Sequence, residues 1–202
     1  GVLHFVAEPD GWMNLCRFRG GAIEPIAPMP VEFASPDWIF GVAEYGFLPD
    51  GGLLAVGRSG GRDRLYRIEP DGSSTTLDLP YTEIISISID GDTAVLRGVS
   101  PFEPAVIVEL SLSSGEIAVL RRATPFLPEP AEISVSRHVE FPSTGGRTAH
   151  ANYYPPHSAT FQAPDGELPP LIVTSHGGPT AAAFSGWATG MGSRASRERT
   201  CS

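Results

Sequence analysis

The chain has 202 residues, 41% of them hydrophobic, and carries a formal charge of −9 from 14 basic and 23 acidic residues. Every basic residue is arginine and no basic run lies outside the last few residues, so the cationic face that a nucleic-acid binder needs is absent. No stretch approaches the ~20 apolar residues of a membrane-spanning helix, and 23 glycines with 20 prolines argue against an all-helical fold.

Residues 2–7 read as a strand, Pro9-Asp10-Gly11 as a turn, and a second strand runs through Phe18. Cys16 lies in that second strand and reads as a small buried thiol; Cys201 is too far off in context for the pair to form a disulfide framework. Residues 19–42, with Pro25, Pro28, Pro30 and Pro36, read as a loop-rich stretch. A rhythm then sets in. Strand text on either side of Asp50-Gly51 is followed by Leu65-Tyr66-Arg67-Ile68 and the turn Pro70-Asp71-Gly72. The next cycle holds Ile85-Ser86-Ile87-Ser88-Ile89, whose two-residue period is that of a half-buried strand, then Asp90-Gly91, residues 105–110 and Ser114-Gly115. Asp-Gly between apolar runs marks a hairpin, because glycine accepts the positive φ such turns need.

Asp50-Gly51 matches Asp90-Gly91, Leu65–Ile68 matches residues 107–110, and Leu15-Cys16-Arg17-Phe18 matches Leu65–Ile68. A repeat of roughly 40–50 residues with about four strands in each cycle is the signature of β-propeller blades. A β-sandwich also has many short strands, but nothing in it repeats strand-turn-strand text at this interval. About three cycles are too few to close a ring of such blades, so residues 1–130 are expected to be the C-terminal part of a propeller.

Thr124-Pro125-Phe126-Leu127-Pro128-Glu129-Pro130 reads as a stiff connector. Beyond it, residues 133–141 and 147–154 flank Ser143-Thr144-Gly145-Gly146 and should form an antiparallel hairpin. Leu171-Ile172-Val173-Thr174-Ser175 reads as a buried strand of a parallel sheet that stops at His176-Gly177-Gly178-Pro179. Two glycines let backbone N–H groups approach a ligand closely, and such groups stabilise an oxyanion developing on a carbonyl.

Taken in order, the propeller end, the connector, Val139-Glu140-Phe141-Pro142-Ser143-Thr144-Gly145-Gly146, Tyr153-Tyr154-Pro155-Pro156 and the run from Pro169 to Pro179 resemble the prolyl oligopeptidase family of serine peptidases. The likeness is to its acylaminoacyl peptidase and dipeptidyl peptidase-like branch, and Asp10-Gly11-Trp12-Met13-Asn14-Leu15 and Pro36-Asp37-Trp38-Ile39-Phe40-Gly41 also look like that branch's propeller. The resemblance implies a propeller stacked on an α/β-hydrolase domain, with substrate reaching a Ser-Asp-His triad between them. It implies that Gly178 donates an N–H to the oxyanion, that Gly177 shapes the loop and that His176 lines the pocket. His176 stands where relatives often place a tyrosine, and the family's triad base lies near the end of the domain. The expected fold class is therefore mostly β, a C-terminal propeller part (1–130) followed by the N-terminal start of an α/β-hydrolase domain (131–189).

The printed sequence departs from that family in two ways. Gly57-Arg58-Ser59-Gly60-Gly61 is the one match to Gly-x-Ser-x-Gly, but it falls between two strands, whereas a nucleophile elbow runs from a strand into a helix. Residues 190–202 hold no strand and three close arginines, and are expected to be an atypical tail, from truncation or a change of reading frame. The expected function is a serine-type peptidase acting on short peptides or N-blocked aminoacyl peptides, here a fragment without its triad and hence inactive alone. The alternatives are a non-catalytic propeller binding module and an α/β-hydrolase esterase. Peptide substrate is the expected partner, with homo-oligomers of the longer protein allowed and no nucleic acid or membrane. No cofactor is expected. No metal site is expected either, because His4, His138, His150, His157 and His176 show neither i, i+4 helical spacing nor cysteine pairing. Glu32, Asp37 and Trp38 lie on the long loop, where relatives use propeller acids to hold an amino terminus, but no residue-level match assigns them. The cytoplasm is the expected compartment, with secretion left open because the sequence opens on Gly1.

Overall fold

A computed structural model of the protein describes residues 1–36, 38–127, 129–177 and 182–186. Three antiparallel meanders follow one another along the chain. The first holds β1 (Leu3–Ala7), β2 (Asn14–Arg19) and β3 (Ala22–Pro25). The second holds β4 (Tyr45–Phe47), β5 (Leu53–Ser59), β6 (Arg62–Ile68) and β7 (Ser74–Leu77). The third holds β8 (Glu83–Asp90), β9 (Thr93–Val99), β10 (Val106–Ser111) and β11 (Ile117–Arg122). A separate hairpin of β12 (Arg137–Pro142) and β13 (Thr148–Tyr153) comes after the connector. No α-helix occurs among the described residues. This is the architecture of successive propeller blades, as the repeats predict.

The internal matches fall on equivalent places. Asp50-Gly51 joins β4 to β5 and Asp90-Gly91 joins β8 to β9, the first turn of each four-stranded sheet. Leu65–Ile68 lies on β6 and residues 107–110 on β10, the third strand of each. β1, β2 and β3 match the second, third and fourth strands of the later sheets, which puts residues 15–18 in register with residues 65–68.

The middle sheet is buried on both faces because its apolar residues alternate between two cores. Leu53, Ala55, Tyr66 and Ile68 pack with Leu15, Val31 and Phe33 toward the first sheet. Leu54, Val56 and Leu65 pack with Tyr81, Ile84, Ile87 and Leu96 toward the third. Register enforces this partition: Leu53 pairs with Ile68 and Ala55 with Tyr66 on one face, and Val56 pairs with Leu65 on the other. Each fully buried Leu or Ile contributes about 1.5–3 kcal/mol, so two-sided burial makes this sheet the centre of the fold. Gly57 sits where the sheet packs tightly on the loop after β3; a Cβ there would lie 2.5 Å from Val31, 2.8 Å from Tyr66 and 2.9 Å from Phe33.

Within the loop-rich stretch 19–42, β3 adds a short edge strand ending at Pro25, where a proline costs no ladder bond. Two local expectations are corrected. The Ile85–Ile89 alternation is broken by a bulge at Ser86, which has φ +58. Ile84 and Ile87 are therefore the buried pair, and Ser86 Oγ accepts from Ala43 N while Ile87 N donates to Ala43 O. Residues 171–175 form no strand. Leu171, Ile172 and Val173 are 76%, 65% and 80% exposed, and a central strand exists only where sheet neighbours flank it on both sides; no sheet among the described residues includes this segment. The predicted tail at 190–202 lies outside the described residues.

Candidate functional site

The diglycine corner is only partly visible. His176 and Gly177 are exposed, His176 Nδ1 lies 3.4 Å from Gly177 O, and a side chain at Gly177 would meet nothing within 4 Å. Glycine at 177 is thus not demanded by crowding. Gly178, on which the oxyanion expectation rests, lies outside the described residues together with Pro179.

The segment 182–186 is fastened by several groups. Asn152 Nδ2 donates to Ala183 O at 3.2 Å, and Tyr154 Oη donates to Phe184 O at 3.3 Å, so the β12–β13 hairpin and the residue after it hold one side. Ser185 is buried and its Oγ donates to Gly61 O at 3.4 Å at the β5–β6 turn. The Phe184 ring packs on the guanidinium of Arg58, 4.6 Å from its central carbon to the ring centroid. Gly186 fits against Val99 and Glu83, where a Cβ would approach within 2.7 Å and 2.9 Å.

Beneath this segment lies a charged cluster. Arg58 donates to both carboxylate oxygens of Asp63, and Ile84 N donates to Asp63 Oδ2 at 2.9 Å. Asp63 is 1% exposed, and these donors occupy both of its carboxylate oxygens. Glu83 lies nearby with its carboxyl pushed above the usual range, first by burial and then by the Asp63 charge, against the opposing pull of Arg97 and Arg58. An acid of this kind can hold or release a proton closer to neutral pH than an exposed glutamate. Nothing in its local sequence, Tyr81-Thr82-Glu83-Ile84, distinguishes it from a surface residue.

The loop acids divide differently. Glu32 is a structural residue: its Oε2 accepts from Met13 N at 2.8 Å and its backbone bridges to Arg58. Trp38 is exposed, and Asp37 lies outside the described residues. Gly57–Gly61 is confirmed as no nucleophile elbow, since Ser59 pairs with Arg62 across an antiparallel turn made by Gly60 and Gly61 at φ +59 and +73. Cys16 is buried and unbridged, its thiol pushed up by desolvation.

The histidines do converge, by a route that helical spacing misses. His138 and Glu140 are two apart on β12 and share a face, and His150 is the registered partner of Glu140 on β13. Their rings stack at 5.3 Å with planes 20° apart, and His138 Nε2, His150 Nδ1 and Glu140 Oε1 lie within 3.3–3.6 Å of one another. A His-x-Glu on one strand opposite a His on the next is the signal that could have revealed them.

No family model matches the chain, and no curated protein does. Solved structures do. A puromycin-hydrolysing peptidase of Mycobacterium tuberculosis is 33% identical over 92% of this chain, with a TM-score of 0.85. A puromycin hydrolase is 31% identical over 92% of this chain, with a TM-score of 0.81. The chain spans 29% of the length of each of those proteins. A prolyl oligopeptidase B from Galerina marginata shares the fold at 13% identity over 74% of this chain and 22% of its own, with a TM-score of 0.54.

Proposed function

We propose that the chain belongs to the prolyl oligopeptidase family of serine peptidases and forms the propeller end and the start of the α/β-hydrolase domain of an amide-cleaving enzyme. Its substrates are short peptides or N-blocked aminoacyl peptides. Puromycin, named for the two similar proteins, joins an aminoacyl group to an amino-nucleoside through an amide and belongs to the same bond class. The observation that carries the proposal is the 31–33% identity to those two proteins over 92% of the chain.

In this mechanism a serine attacks the carbonyl, a histidine takes its proton and returns it to the leaving amine, and an acyl-enzyme is then hydrolysed. No residue of the printed sequence fits the nucleophile, Ser59 being excluded by its hairpin. This chain's contribution is the His176-Gly177-Gly178-Pro179 corner: Gly178 N–H stabilises the oxyanion, Gly177 shapes the loop and His176 lines the pocket. Two features support this role. Leu171-Ile172-Val173 presents an apolar, strand-competent run ready for sheet neighbours. The segment after the corner is seated on Arg58 and Gly61, which anchors it to the blades.

A chimera tests the proposal. The matching segment of the M. tuberculosis peptidase is replaced by residues 1–186 of this chain, and puromycin hydrolysis is followed. The chimera should turn over, Gly178→Ala should retain most activity, and Gly178→Pro, which removes the N–H, should lower kcat by about 10²–10³. A folded chimera with no turnover would refute the peptidase role; unchanged kcat in Gly178→Pro would refute the oxyanion role alone. The 202-residue chain by itself should not be labelled by a fluorophosphonate, and stoichiometric labelling would overturn its proposed inactivity.

A further inference from the structure

We propose that the β12–β13 hairpin carries a zinc-type divalent-cation site formed by Nε2 of His138, Oε1 of Glu140 and Nδ1 of His150. Two imidazoles and a carboxylate are the donor set of many zinc centres that keep a fourth position open to water or another ligand.

The geometry fits that ion closely. His150 Nδ1 lies 3.3 Å from His138 Nε2; Glu140 Oε1 lies 3.5 Å from His138 Nε2 and 3.6 Å from His150 Nδ1. In a tetrahedral centre with bonds of about 2.0–2.1 Å, neighbouring donors stand about 3.3–3.4 Å apart. A triangle with the observed edges has a circumradius of about 2.0 Å, so a cation placed just off its plane reaches all three atoms at zinc bond lengths. A proton serves at most one edge of such a triangle, whereas a cation can bind all three donor atoms at once.

The backbone holds the donors in place. Strand alternation puts His138 and Glu140 on one face, and register sets His150 directly across from Glu140. His138 is also backed on its other nitrogen: a Cβ at Gly61 would lie 3.0 Å from His138 Nδ1, so that side of the ring faces the β5–β6 turn while Nε2 faces its partners. All three side chains are solvent-accessible, so an ion can enter without any rearrangement. The cation would join β12 to β13 and brace the strand whose Asn152 holds Ala183. The inference does not depend on the peptidase assignment.

The test is calorimetric titration of the 202-residue chain with ZnCl₂, paired with Co²⁺ titration followed by visible absorption. One equivalent of zinc should bind, and cobalt should give the intense visible band of a four-coordinate centre. His138→Ala and His150→Ala should each weaken zinc at least tenfold, while His157→Ala, which removes an exposed histidine outside the cluster, should leave it unchanged. Far-UV circular dichroism checks that each variant keeps its strands; if an alanine variant does not, His150→Gln, which keeps bulk at the site, takes its place. Absence of a one-equivalent event in the unaltered chain, or equal affinity in a folded His138→Ala/His150→Ala double variant, would overturn the proposal.

Discussion

Arg58 and Asp63 face each other across the β5–β6 hairpin, with Nε donating to Oδ1 at 2.8 Å and Nη2 to Oδ2 at 3.2 Å. The same carboxylate accepts Ile84 N from the third sheet, and the same guanidinium carries the Phe184 ring. One ion pair therefore ties two blades to the segment that follows the diglycine corner. Asp63→Ala should destabilise the chain by about 3–5 kcal/mol, since it strands a buried amide and frees a guanidinium. Urea unfolding monitored by circular dichroism measures this, and a loss under 1 kcal/mol (about a fifth to a third of that expected) would show that the pair adds little.

Gly57 is a tight place where β5 packs against the loop after β3. Gly57→Ala should cost about 1–3 kcal/mol, because Val31, Tyr66 and Phe33 surround the new methyl group and belong to a packed core. Thermal melts against the unaltered chain decide the point; an unchanged or raised Tm would mean that the core yields.

Glu83 sets a pH dependence whose sign follows from its raised pKa. The folded state holds the proton to higher pH than the unfolded chain, so this residue favours folding below the ordinary glutamate value, and that contribution is lost as pH rises through the folded value. Glu83→Gln should therefore raise Tm at pH 7 and leave it nearly unchanged at pH 4. A lower Tm at pH 7 would show that attraction to Arg58 and Arg97 outweighs desolvation.

The exposed run Leu171-Ile172-Val173 should drive self-association of the chain on its own. Ile172→Lys should shift the sizing profile toward monomer at the same protein concentration. A monomeric, sharply melting unaltered chain would contradict this.

Much of the fold is legible in the linear text. Asp50-Gly51 and Asp90-Gly91 mark equivalent turns, and the repeat of residues 15–18 at 65–68 and 107–110 locates one strand of each blade, because hairpins and strand faces depend on neighbours only a few residues apart. The bulge at Ser86 was hidden by an unbroken Ile/Ser alternation, since it arises where the chain meets Ala43 in the loop before β4. The His-Gly-Gly-Pro corner is likewise visible as text, while a strand at 171–175 depends on partners that local pattern cannot supply.

By itself, then, the order of residues determined a β-rich chain of repeating meanders, a proline-rich connector, a hairpin and a diglycine corner, all consequences of short-range backbone preference and two-residue periodicity. Only the tertiary structure decided that Arg58, Asp63 and Phe184 meet, that Glu83 is half-buried beside them, and that donor atoms of His138, Glu140 and His150 come together. Those contacts depend on which strands pair, in which register, and on which sheets stack, and both are settled by burial of side chains distant in sequence.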